Sequence, residues 1–181
     1  MEHNLQDTIA LLAHTPAGLN ALLRELPESW TRRNEGEKTW TVSDVIGHLI
    51  HSEHDNWITR TKMILEKGES QTFTPLNRTA FASDAPGKSM AQLLDDFAEA
   101  RESTLAQLRS LNLKPEDLER RGMHPVFGPV TLSQLLSTWA AHDLTHLHQI
   151  SRIMAYQYRG LVGPYVRFLG VLKCEGHSES A

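Results

Sequence analysis

Apolar residues recur at helical spacing in four long segments of this 181-residue chain, and no segment alternates convincingly as a strand. The first segment runs from about Leu5 to Leu26, interrupted at Thr15-Pro16, where a helix can kink or restart with proline at its first position. A polar loop, PESWTRRNEGEKTW, follows. The spacing then predicts a helix from Thr41, a hydroxyl cap with Asp44 adding negative charge in the first turn, to about Gly68. Its stripe is Val42, Val45, Ile46, Leu49, Ile50, Trp57 and Ile64. Residues 69–88 hold Pro75, Pro86 and Gly87 and read as a long loop. Ser89-Met90-Ala91-Gln92 has the form of a capping box and opens a third helix carrying Leu93, Leu94, Phe97, Leu105 and Leu108. A second loop contains MHPVFGPV. Thr131-Leu132-Ser133-Gln134 is another capping box, and it begins a fourth helix over about 132–157. After Gly163-Pro164, YVRFLGVL reads as a short closing helix.

Four amphipathic helices with a long connection predict an all-α fold, a four-helix bundle with a short extra C-terminal helix. One domain over 1–181 is expected, with an ordered core of about 4–174 and a disordered tail at 175–181. Composition does not disturb this picture, since 40% hydrophobic and 22% charged residues are ordinary for a globular chain. A net charge of −4 with scattered Lys and Arg argues against nucleic acid or an anionic membrane as partner. No apolar run reaches the roughly 18 to 20 residues that a spanning helix needs, and the N-terminus lacks a signal-peptide pattern. The single cysteine, Cys174, fits a reducing cytoplasm and reads as a partly buried, inert thiol on the last helix.

The histidines change the picture. The chain has ten, and six fall in two stretches: His48, His51 and His54 in GHLIHSEHDNW, and His142, His146 and His148 in HDLTHLHQI. Residues four apart on a helix lie one turn above each other, so His142 and His146 can present two imidazoles to one metal ion. A third ligand from a facing helix would leave coordination positions open to water or substrate. Periodicity does not choose among His48, His51 and His54. It places His142 and His146 on the shoulder of their apolar stripe, facing a cleft, and His148 on the surface. Glu53 and Asp143 fall on core faces. Each is a candidate to support a ligating imidazole by a hydrogen bond, or to pair with an arginine or a tryptophan indole. Gln149, seven residues beyond His142, is a candidate to touch the site. His51, Glu53, Asp55 and His124 are the available acids and bases near it, with a loop-structuring role the plainer reading of His124.

The runs WTVSDVIGHLIHSE, HPVFGPVTLSQLLSTWAAHDLTHLHQI and RIMAYQYRGLVGPYVRFLGVL together resemble the DinB-like (YfiT-like) superfamily of metalloenzyme bundles. The most specific match is HDLTHLHQI, which fits an H-D-x-x-H-x-x-Q-I pattern. The resemblance implies a metal held by one histidine early on the second helix and two on the last bundle helix, which here are His48, His142 and His146. It implies one divalent ion, zinc or nickel first and iron or manganese next, and a homodimer. It also implies a small-molecule substrate, with a low-molecular-weight thiol as cosubstrate. Three neutral imidazoles leave the charge of the ion uncompensated, so a thiol or water held there gives up its proton more easily. The activity so implied is thiol-dependent S-transfer onto small electrophiles, in detoxification or stress. A metal-dependent hydrolase and a non-catalytic metal-binding stress protein are the alternatives.

Overall fold

The structure, a computed structural model, describes residues 4–75 and 87–174. Four long helical arms form the bundle: α1 (Leu5–Leu23), the pair α3 (Val42–Asp55) and α4 (Trp57–Lys67), α5 (Met90–Ser110), and α7 (Leu132–Tyr156). The short helices α2 (Glu28–Thr31) and α6 (Pro115–Leu118) lie in the connections. The helix starts follow local chemistry. Thr41 with Asp44, Ser89 with Gln92, and Thr131 with Gln134 each form a reciprocal capping box.

Two hydrophobic clusters fill the bundle, one toward each end. One joins Ile9 and Leu12 of α1 to Trp57 and Ile64, Leu105 and Leu108, and Leu132 to Trp139. The other joins Leu19 and Leu23 to Val42 to Leu49, Leu93 to Phe97, and Ile150 and Ile153. The order in which each arm visits the clusters gives its direction. α1 and α7 run one way, while α3–α4 and α5 run the other. α4 and α5 are therefore parallel, and α5 begins at the end of the bundle opposite to that where α4 ends, which is consistent with a long connection at 69–88. Its residues 76–86, and the tail 175–181, lie outside the described residues.

Between the two clusters lies a polar layer. Arg101 of α5 is 1% exposed and donates to both carboxylate oxygens of Asp143 (2.6 and 2.9 Å) and to Glu53 Oε1 (2.8 Å). Glu53 also accepts from Trp139 Nε1 at 3.0 Å and Thr104 Oγ1 at 2.6 Å. Arg101 Nη1 further donates to the Leu12 carbonyl at 2.7 Å. That carbonyl is available because Pro16, four residues on, has no N–H to offer it. The expected interruption at Thr15-Pro16 is therefore no break, as α1 runs through it and the freed carbonyl joins the polar layer.

Other expectations are corrected. The second arm breaks at Asn56 (φ −107°, ψ −71°), between α3 and α4. MHPVFGPV belongs to an antiparallel hairpin, β1 (Arg121–His124) and β2 (Gly128–Thr131), which also bridges Thr72. The pairing is local, but strands of four residues are too short to show an alternation, and Pro125, Gly128 and Pro129 give the segment the composition of a loop. YVRFLGVL is helical as expected, but in two 3-10 segments, Gly163–Phe168 and Gly170–Leu172. Cys174 is exposed at the end of the second. No described helix is long and apolar enough to cross a membrane.

Candidate metal centre

His48 stands on the second turn of α3, and His142 and His146 stand one turn apart on α7. The two helices are antiparallel neighbours, so these side chains face each other across the α3–α7 groove. His48 Nε2 and His146 Nε2 each lie 3.1 Å from His142 Nε2, and all three donor atoms lie within 4.8 Å of one another. Zinc takes imidazole nitrogens at about 2.0–2.1 Å, so neighbouring donors in a tetrahedral set are about 3.4 Å apart. The observed spacing is close to that, and the donor set fits a divalent ion. His51 and His54, the other two candidates for the α3 ligand, are not part of this group. His51 Nδ1 lies 3.0 Å from Asp55 Oδ2, and His54 is exposed, as is His148.

Burial is deeper than a cleft-facing shoulder suggests. His48 and His146 are buried, and His142 is half-buried. Burial lowers the His146 pKa by penalising the imidazolium, against the opposing effects of the Gln149 hydrogen bond and the Asp143 charge. A neutral ring is the form that can bind a metal. Gln149 Oε1 lies 2.7 Å from His146 Nδ1. An amide oxygen accepts, so Nδ1 carries the proton and the Nε2 lone pair is turned toward the other two imidazoles. Glu53 and Asp143 lie beside the site, and their described hydrogen bonds run to Arg101, Thr104 and Trp139. Opposing burial, these two carboxylates together raise the Arg101 pKa.

Two tryptophans wall the group. The Trp40 ring centroid lies 5.0 Å from that of His48 and 6.3 Å from that of His146. Trp57 sets its ring against His142 at 5.2 Å and stacks on Trp139 at 5.6 Å. The loop that carries Trp40 is tied to α7 by a bidentate pair, Arg152 to Glu35, at 2.7 Å for each bond. Sequence reasoning left Trp40 in a polar loop. Its position just before the Thr41 cap, where an apolar residue often packs back on its helix, was the available signal.

Residues 11–150 match the family model of the DinB superfamily. No curated protein matches. Among solved structures, the fold resembles that of YfiT from Bacillus subtilis. That protein is described as "a probable metal-dependent hydrolase with an unusual four-helix bundle topology". The TM-score is 0.66 at 24% identity, over 81% of this chain and 85% of that one.

Proposed function

The chain belongs to the DinB superfamily, and from that premise we propose that it is a divalent-metal-dependent enzyme acting on a small molecule, with His48, His142 and His146 as the ligands. The observation that carries the reading is the convergence of three imidazole Nε2 atoms, drawn from two helices, on one point of the α3–α7 groove. Three neutral nitrogen donors suit zinc or nickel ahead of iron or manganese. Such an ion, when bound, supplies Lewis acidity and lowers the pKa of a water or thiol that it holds.

The chain's own residues do the rest. Gln149 holds the tautomer and rotation of His146. Trp40 and Trp57 limit access of bulk water to the three rings and give the site apolar walls. Hydrolysis is the reaction we propose, supported by the description of YfiT. The thiol transfer implied by the family resemblance would use the same ligands and differ in the nucleophile.

The test is to load the protein with zinc and with nickel and assay two panels. One contains ester and amide substrates, and the other a bacterial low-molecular-weight thiol with monochlorobimane. Turnover of an ester or amide that disappears in His146→Ala supports the hydrolase. Conjugation without hydrolysis replaces it with thiol transfer. Inactivity across both panels leaves a metal-binding protein without turnover, and activity unchanged in His146→Ala contradicts the site itself.

A further inference from the structure

The hairpin and α4 set two polar side chains against one aromatic ring, away from the three histidines. Phe73 is buried, and its backbone N–H donates to the Met123 carbonyl at 2.8 Å. The hairpin can settle this closely because residue 122 is glycine. A Cβ there would meet Phe73 Cζ and Ile64 Cγ1 at 2.7 Å. Two groups flank the Phe73 ring as a result. The Arg60 guanidinium lies over it, 5.2 Å from the centroid, and His124 meets it edge to face at 6.2 Å.

The state of His124 follows from its partners. The backbone N–H groups of Val126 and Phe127 both point to Nδ1, at 3.1 and 3.3 Å. Nδ1 is therefore the acceptor, and the ring proton sits on Nε2 as a donor. Burial, together with the Arg60 charge, lowers the His124 pKa, which holds the ring in this neutral form.

Arg60 has one described hydrogen bond, from Nη2 to the Thr74 carbonyl at 3.2 Å, which uses one of five N–H donors. Among the described residues no carboxylate pairs with it, and the influence on its pKa is a lowering by burial. A half-buried guanidinium with no acid beside it among the described residues is unusual, because desolvating a charge costs free energy that a counter-ion normally offsets. Arg60 also closes a row. His48, Ser52, Asn56 and Arg60 follow one another at four-residue spacing, and Ser52 Oγ and Asn56 Oδ1 are buried with no hydrogen-bond partner among the described residues.

We propose that Arg60 and the Nε2–H of His124 form an anion-binding position that takes the carboxylate or phosphate group of a small molecule. This goes beyond the metal-dependent reading and does not rest on it.

The full-length protein is titrated with inorganic phosphate and, separately, with malonate, while NMR follows the His124 ring and the Arg60 guanidinium. The expected result is a saturable shift at both residues with at least one probe. A response to phosphate alone marks a phosphate site, and a response to malonate alone marks a carboxylate site. Affinity should fall about tenfold or more in Arg60→Gln, as for the loss of a charged hydrogen-bond donor. It should also fall in His124→Asn, which keeps an acceptor for the hairpin amides and removes the Nε2 donor. Shifts confined to His48, His142 and His146, no saturable shift in the wild type, or unchanged affinity in Arg60→Gln would each overturn the proposal.

Discussion

Two polar clusters sit side by side in the middle of this bundle, and the same two helices build much of both. Glu53 follows His48 by five residues on α3, and Asp143 lies between His142 and His146 on α7. The Glu53–Arg101–Asp143 cluster pairs its charges within itself, leaving Arg101 Nε as the one guanidinium nitrogen without a partner among the described residues. Its carboxylates meet a guanidinium, an indole N–H and a hydroxyl, and the guanidinium meets a carbonyl that Pro16 leaves free. The histidine cluster is of another kind, with three nitrogens directed at one another from inside apolar walls. Opposite charges that satisfy one another build a fold. Like donor atoms gathered at one point serve a ligand that carries positive charge.

The contrast breaks most visibly at Arg101. Arg101→Met leaves Glu53 and Asp143 facing each other without their cation. Breaking a buried ion pair from one side costs about 3–5 kcal/mol, so the variant should unfold at much lower urea, or fail to fold. A urea midpoint close to wild type would show that the network contributes little. Gln149→Leu probes the other cluster. Loss of such an outer partner typically weakens metal binding about 10- to 100-fold, measurable by competition with a chromophoric chelator. An unchanged affinity would remove Gln149 from the account.

Acid gives the smallest effect and tests the burial of His146. Its pKa is depressed in the folded state, so below the ordinary value near 6.5 the unfolded chain takes up a proton more readily. The stability this residue contributes is present above 6.5 and is lost as pH falls through its lower folded value. The metal-free protein should therefore become less stable in urea below about pH 6.5, and His146→Gln should flatten the dependence. A slope that is identical in the variant would assign the effect to other groups.

Much of the frame could be read along the chain, because helix starts are local events. Thr41, Ser89 and Thr131 announce α3, α5 and α7 through their own side chains and a residue three positions on. The pair His142 and His146 was legible for the same reason, as both stand on one helix. The α3 partner was not, because which of His48, His51 and His54 faces α7 depends on how two helices are rotated against each other. Resemblance to the family singled out His48. Arg101 went unremarked in α5, since its partners lie 42 and 48 residues away. The hairpin was lost to its prolines and glycines, and with it the neighbourhood of Arg60 and His124. The Arg101 contacts, and those of Phe73 with the hairpin, depend on the packing of distant segments, whereas the hairpin itself pairs locally and was hidden by its composition.

A histidine cluster that holds a metal and an arginine network that does not can be told apart by metal analysis of the purified protein beside His142→Ala, each with a urea unfolding curve. Close to one equivalent of divalent metal is expected in the wild type and almost none in the variant. The metal-free forms should differ in stability by only about 1 kcal/mol. Equal metal content in the two proteins would contradict a histidine cluster that holds a metal.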